Sequence, residues 1–338
     1  GLIFGNNALS TYGDVKTVFE TLMALDYLVV AELYMTPTAE IADLILPVAT
    51  WAEVDALPAV PFYGQNVIMA QQKTFQYAEC KQDEDIMVEI CRRLGTEHGQ
   101  ESPQEVYDSM LRSKLDFGWE ELKQMGFYEP EFKWQKYKEN GFDTPTRKIE
   151  LYSTRLQELG YDPLPYYEEP PESPYSTPEL AQEFPFILIT GARLPMFFQS
   201  EYRQLPKLRK GRPEPECELH PETAAELGVV TGDWVSIETK RGKCRQKVKV
   251  FEGIDPRVVH VQHGWWFPEE EDGPDHGIWR SNANTLTSMD PPYCSAMGTY
   301  QLRALLCRVV KVDGSEKPWQ PTLPSRYNTN IAEIQDWS

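Results

Sequence analysis

The apolar positions of the chain fall into two regimes, short buried runs alternating with helical spacing and then a series of strands. Gly1-Leu2-Ile3-Phe4-Gly5 reads as the end of a buried strand entering a turn, and the polar loop Asn6-Asn7-Ala8-Leu9-Ser10 follows it. Val15, Val18, Phe19, Leu22 and Met23 then recur at helical spacing. Tyr27-Leu28-Val29-Val30-Ala31 predicts a second buried strand, and Ala42-Asp43-Leu44-Ile45-Leu46 a third, stopped by Pro47. This alternation predicts a parallel, doubly wound sheet. Residues 82–94 predict a helix of well-determined register. Asp83, Glu84 and Asp85 crowd its first turn, Ile86, Ile90 and Leu94 repeat at i+4, Arg92 and Arg93 end it, and Gly95 supplies the cap.

From about residue 100 to 185, aromatic and charged residues interleave, with prolines dense between Pro163 and Pro185. Pro163-Leu164-Pro165 and Glu169-Pro170-Pro171-Glu172-Ser173-Pro174 continue neither helix nor central strand, so Asp162 to Phe184 reads as an extended surface linker at a domain boundary. Beyond it, Phe186-Ile187-Leu188-Ile189-Thr190 predicts a buried strand. Pro221 to Gly228 predicts a two-turn helix with proline at its start and glycine past its end. Residues 233–239 and 244–250 flank Lys240-Arg241-Gly242-Lys243 as a β-hairpin. The expected organisation is a parallel-sheet domain over 1–110, a connecting segment over 111–185, a mainly β and closed-barrel domain over 186–315, and a surface tail over 316–338.

A length of 338 residues agrees with two domains. The 33 lysines and arginines against 52 aspartates and glutamates give a net charge of −19, which opposes nucleic acid and anionic membrane as partners. At 41% hydrophobic and 12% aromatic the chain is too apolar for disorder. No apolar run approaches the roughly 18 residues of a spanning helix, so no direct membrane insertion is expected. Six scattered cysteines form no C-x-x-C pair and predict reduced, partly buried thiols. The chain reads as beginning inside a domain, so any targeting segment would precede Gly1 and the compartment is not specified.

Gly5-Asn6-Asn7-Ala8 follows a strand and precedes a helix, the place where a parallel sheet binds ligands, although the same residues also make an ordinary tight turn. His260 and His263 form H-x-x-H near His276 and the acidic run Glu269-Glu270-Glu271-Asp272. On a strand, positions i and i+3 face opposite ways, which argues against one shared ion, and the acidic run reads as a solvated loop. Of the adjacent Trp265 and Trp266 after Gly264, one is expected to line a cavity or ligand. Ser281 to Thr287 concentrates amides and hydroxyls suited to a heterocycle or phosphate, or to an Asn-rich turn.

Taken in order, these segments resemble the C-terminal half of the molybdopterin oxidoreductases of the dimethyl sulfoxide reductase type. The resemblance is carried by residues 42–53, Lys148-Ile149-Glu150-Leu151-Tyr152-Ser153, Thr190-Gly191-Ala192-Arg193, and Glu218-Leu219-His220-Pro221 through Gly232-Asp233-Trp234-Val235. His263-Gly264-Trp265-Trp266 and Asn282 to Thr287 complete it. It implies an α/β Rossmann-like domain followed by a double-psi β-barrel, and a bis(molybdopterin guanine dinucleotide) cofactor holding molybdenum or tungsten. Gly5, Asn6 and Asn7 would lie along one dinucleotide, while Thr190, Gly191, Arg193, Gln199, Ser200, His263, Gly264, Trp265, Asn282, Asn284 and Thr287 would pack the pterins.

Three departures stand out. Gln199 replaces a histidine frequent in relatives, Arg147 stands where glycine is common, and neither the iron–sulfur cysteines nor the metal-ligating residue has a counterpart. The resemblance therefore implies the cofactor-binding portion of a longer enzyme, with a 4Fe-4S cluster only in the missing N-terminal half. Its partners would be that half, an iron–sulfur electron-transfer subunit and a small substrate: formate, a sulfur or nitrogen oxyanion, thiosulfate or polysulfide, or an arsenic compound. Alternatives are an acetylene-hydratase-like enzyme without net redox change and a non-catalytic nucleotide- or subunit-binding module. A nicotinamide dehydrogenase would need G-x-G-x-x-G after the first strand, which Gly5 to Ser10 lacks.

Overall fold

The computed structural model describes residues 1–60, 67–96, 99, 101–192, 194–269 and 276–313. The expected tail over 316–338 lies outside the described residues, as do Arg193 and residues 270–272 of the acidic run. The first regime folds as strand–helix–strand units: β1 (Leu2–Phe4), α1 (Ala8–Thr11), α2 (Val15–Met23), β2 (Val29–Glu32), α3 (Pro37–Glu40) and β3 (Leu44–Pro47). The three strands are parallel in the order β1-β2-β3, with Ile3 opposite Val30 and Val30 opposite Ile45. Both strand runs begin later than their apolar residues: Tyr27 is exposed and Leu28 buried ahead of β2. Pro47 is accommodated because it ends an outer strand, where a missing N–H costs little.

Both faces of this sheet are covered. On one, Leu9, Val15, Val18, Phe19, Leu28 and Val30 pack with Trp266, Ile278 and Trp279 from the second half of the chain. On the other, Ala31 and Val48 pack against Ile86 and Ile90 of a long helix. Two short strands, β4 (Ala59–Val60) and β5 (Val67–Met69), precede that helix, α4 (Asp83–Leu94). It runs as the charge pattern predicts, with Gly95 at φ +69 closing it in the left-handed region. Beyond α4 come α5 (Pro103–Arg112), α6 (Trp119–Met125) and β6 (Phe127–Tyr128). Strands β4, β5 and β6 form an antiparallel sheet, and Leu111, Trp119 and Leu122 share a core with Leu57 and Ile68. Residues just after 110, expected to be connector, thus pack with residues well before it.

The second half closes into a six-stranded barrel of β7 (Phe186–Ala192), β8 (Glu216–Leu219), β9 (Trp234–Glu238), β10 (Lys243–Val250), β11 (Val258–Gln262) and β12 (Leu305–Lys311). Around the barrel the order is β10-β8-β11-β7-β12-β9, with β7/β11 and β8/β10 parallel and the other neighbours antiparallel. Leu188, Leu219, Ile237, Val248, Val259, Leu305 and Val309 fill it together with Cys217, Cys244 and Cys307. Burial pushes these three thiols up, so they stay protonated and serve as small apolar fillers.

The linker is not extended throughout. Pro178 starts a helix, Pro178–Glu183, because its fixed φ suits the first helical position. Glu172 is buried against the barrel, where Arg241, Lys240 and the Leu306 N–H meet its carboxylate.

Candidate functional site

The carboxyl ends of β1 and β2 open into a cleft of about 600 Å³ whose opposite wall is the barrel segment Phe198 to Tyr202. Gly5 turns the chain at φ +50 while its N–H stays bound to the Ala31 carbonyl at 3.0 Å. Asn6 and Asn7 follow along the cleft. The Asn6 amide donates to the Tyr12 hydroxyl at 2.8 Å. Thr38 fixes Asn7 by donating to its Oδ1 at 2.9 Å while accepting from the Leu9 N–H at 3.1 Å. Asn7 Nδ2 is buried with no hydrogen-bond partner among the described residues, a donor able to serve an acceptor in the cleft.

Gln199 and Ser200 form the facing wall. Gln199 lies at φ +56 and Tyr202 at φ +63, two non-glycine residues held in the left-handed region within four positions. His263 Nε2 meets Gln199 Oε1 at 3.1 Å, and Trp266 Nε1 donates to the Ser200 carbonyl at 2.7 Å. Beneath them Arg203, 3% exposed, donates to the Gln199 and His263 carbonyls. Burial, aided by Arg209, lowers its guanidinium to about 9. At the end of β2, burial raises the Glu32 carboxyl above its ordinary range, the Leu33 N–H opposes this, and Glu201 and Asp83 add to the rise.

A second cleft, of about 730 Å³, lies between α2 and the β9–β10 hairpin. Asn284, Thr285 and Thr287 line it with Asp14, Lys240 and Arg241. The Thr287 hydroxyl accepts from the Asp14 N–H at 2.9 Å and donates to the Asn284 carbonyl at 3.1 Å. Between the clefts, the fully buried Asn282 donates to the Ser10 and Trp265 carbonyls, both at 3.0 Å, and accepts from the Asn284 N–H at 2.8 Å. Asn284 Nδ2 reaches the same Ser10 carbonyl at 3.1 Å. The two halves of the chain are therefore tied at one backbone oxygen.

The structure thus brings Gly5, Asn6, Asn7, Gln199 and Ser200 to one cleft and Asn284 and Thr287 to another. Arg193 lies outside the described residues, and Thr190, Gly191, His263, Gly264, Trp265 and Asn282 line neither cleft. Thr190 donates to the Leu302 carbonyl at 2.8 Å, Gly191 faces the Arg303 guanidinium, and His263 acts through Gln199. Trp265 and Trp266, one of which was expected to line a cavity or ligand, are both fully buried and line neither cleft. Being adjacent they face different cores, Trp265 that of Phe197 and Phe267, Trp266 that of Phe19 and Ile278. His260 pairs with Glu218 at 2.9 Å, far in chemistry from the Gln199 contact of His263, and His276 reaches the Phe267 carbonyl. Glu269 of the acidic run pairs with Arg209 at 2.7 Å. Among the described residues no cluster of His, Cys, Asp and Glu could hold a metal ion.

Thr38, Tyr12 and Arg203 were not singled out by the sequence. For Thr38 a signal existed, since Thr36-Pro37-Thr38 starts a helix directly after a strand's carboxyl end.

Gly264 gives a direct test of the wall. At φ +65 an added Cβ would sit 3.0 Å from the Gln199 carbonyl oxygen and 3.3 Å from the Ser200 nitrogen. Gly264→Ala is expected to destabilise the chain by about 1–3 kcal/mol and displace Gln199. An unchanged denaturant midpoint would show that the wall gives way freely.

The family model described as molybdopterin oxidoreductase matches residues 2–93, and that described as molydopterin dinucleotide binding domain matches 186–304. The chain belongs to the molybdopterin oxidoreductases of the dimethyl sulfoxide reductase type. It is 35% identical over 282 residues to acetylene hydratase of Syntrophotalea acetylenica, covering 81% of this chain and 38% of that one. It is 29% identical over 387 residues to dopamine dehydroxylase of Eggerthella lenta, covering 90% of this chain and 37% of that one. The solved acetylene hydratase from Pelobacter acetylenicus superposes with a TM-score of 0.81 at 32% identity, covering 92% of this chain and 44% of that one. The chain spans about two fifths of the length of these relatives.

Proposed function

We propose that the chain is the cofactor-binding portion of a molybdenum or tungsten enzyme and that its two clefts take the dinucleotides of a bis(molybdopterin guanine dinucleotide). The observation that carries this is the convergence of the Gly5–Asn7 loop and the Gln199–Ser200 wall on one cleft. The donor chemistry fits. Asn7 offers a buried amide nitrogen without an acceptor among the described residues, Gln199 and Asn6 offer further amides, and the second cleft adds Asn284, Thr287 and Lys240. Such a set suits a long anionic cofactor rich in hydrogen-bonding groups. Gly5, Asn6, Asn7, Gln199 and Ser200 would hold it in the first cleft, and Asn284, Thr285 and Thr287 in the second. When bound, the metal supplies two-electron redox chemistry tuned by the pterins. These residues bind, orient and shield from water.

On this reading the first domain is Rossmann-like. The barrel is then of the double-psi kind, a reading that its parallel pairs β7/β11 and β8/β10 support. A 4Fe-4S cluster and the metal-ligating residue belong to the rest of the enzyme, and an iron–sulfur subunit exchanges electrons with it. The substrate is a small molecule of the formate, oxyanion or sulfur-compound class. Similarity to acetylene hydratase supports a second reading, hydration without net redox change. Turnover without an external electron donor or acceptor separates the two.

The test is metal content by elemental mass spectrometry together with guanine nucleotide released by acid, on the full-length protein. About two guanine nucleotides per molybdenum or tungsten are expected. A full-length protein carrying neither overturns the reading.

A further inference from the structure

Arg203 lies under the first cleft with no carboxylate within ion-pair reach among the described residues. A guanidinium buried without a counter-ion is costly, so its place needs a compensating role. Its rings of contact are aromatic, Phe197 at 5.0 Å and Trp265 at 4.9 Å to the ring centroids. Its hydrogen bonds go to backbone: Nη1 donates to the Gln199 carbonyl at 2.7 Å and Nη2 to the His263 carbonyl at 3.1 Å, while Nε has no acceptor among the described residues. One planar fork therefore spans two loops, a reach that a lysine ammonium lacks.

The two carbonyls belong to the two residues whose side chains meet, His263 Nε2 and Gln199 Oε1 at 3.1 Å. With the imidazole N–H donating to the amide oxygen, the Gln199 NH₂ group is the part left to face the cleft, which Gln199 lines. The backbone that carries it is strained at Gln199 and Tyr202, so it needs an external tie. We propose that Arg203 is a positioning residue: through the Gln199 and His263 carbonyls it holds the Gln199 amide as a fixed N–H donor, which selects an acceptor atom on the group bound in the cleft. The assignment rests on the cofactor reading above. It names the chemistry read at that point, a carbonyl oxygen, ring nitrogen or phosphate oxygen rather than a donor.

The experiment follows loss of guanine nucleotide and metal with time after gel filtration, in the full-length enzyme carrying Arg203→Met, Arg203→Ala, Arg203→Lys or none of these. Methionine fills the volume between Phe197 and Trp265 without either donor. Arg203→Met is expected to release nucleotide about tenfold faster than wild type, in keeping with the loss of a charge-assisted hydrogen bond. In Arg203→Ala, which leaves that volume empty, millimolar guanidinium restores the donors to the two carbonyls and is expected to recover most of the nucleotide lost by that variant. Retention at the wild-type rate, or no recovery with guanidinium in folded Arg203→Ala, overturns the assignment. If Arg203→Met does not fold, Arg203→Lys decides: it keeps the charge and reaches one carbonyl, and wild-type retention in it overturns the assignment. An empty wild-type enzyme overturns the cofactor reading and this one with it, whereas a loaded wild type with unaltered variants overturns this one alone.

Discussion

Asn282→Asp is expected to destabilise the chain by about 4 kcal/mol at neutral pH, from lost donors and a buried unpaired charge. The change is nearly isosteric, so volume plays little part. It replaces an amide nitrogen that serves the Ser10 and Trp265 carbonyls with an oxygen that repels both, at a position with no solvent exposure. Asn282→Ala removes the same donors without adding charge and is expected to cost less, about 2–3 kcal/mol. The aspartate also brings a pH dependence of known sign. Its folded-state carboxyl would be raised by burial beside two carbonyls, so the destabilisation is smallest in acid and grows as the pH rises above the unfolded value of about 4. Denaturant titrations at pH 5 and pH 7 measure both effects. Because Ser10 follows the Asn6–Asn7 loop, the variant is also expected to lose guanine nucleotide from the full-length enzyme. Stability within about 1 kcal/mol of wild type at pH 7 would show that the amide is no clamp.

What the sequence disclosed followed the range of the interactions involved. Helix α4 is legible because its acidic start, i+4 apolar stripe, basic end and Gly95 cap are all local. The β9–β10 hairpin is legible for the same reason, its alternation and glycine turn lying within residues 234–250. The β4-β5-β6 sheet was not, since its strands are two or three residues long and β6 joins β5 across three helices with no local signal. The linker misled because dense prolines exclude a helix interior but also start helices, as Pro178 does. In the site, Gly5 to Asn7 could be found because a strand-to-helix turn has a characteristic place in a parallel sheet. Arg203 could not. An arginine in a polar, proline-flanked stretch reads as a surface cation, and only the fold shows it beneath Trp265, tied to two carbonyls.

Glu172 is expected to show how the linker is fastened to the barrel. Its carboxylate is met by Arg241 at 2.8 Å, Lys240 at 3.1 Å and the Leu306 N–H at 2.8 Å. Its own backbone exchanges two hydrogen bonds with the Gln301 side chain. Burial alone would raise this carboxyl, but Arg241, the Leu306 N–H and Lys240 outweigh it and hold it below the ordinary range. Glu172→Gln leaves Arg241 without its buried counter-charge and is expected to cost about 3 kcal/mol at pH 7. The sign with pH is opposite to that of Asn282→Asp. A depressed folded value means the stabilisation is complete above the unfolded value of about 4.3 and is lost as the pH falls through the folded one. The gap between wild type and Glu172→Gln should therefore be constant from pH 7 to about 5 and close on further acidification. Lys240 and Arg241 also line the second cleft, so the same carboxylate sets how much positive charge that cleft presents. Removing it should leave those two cations to an anionic occupant, and guanine nucleotide should be retained at least as well by any Glu172→Gln protein that remains folded. A variant whose stability gap is unchanged down to pH 3, or which sheds nucleotide while folded, would mean that Glu172 holds the hairpin in shape and does not set the charge of the cleft.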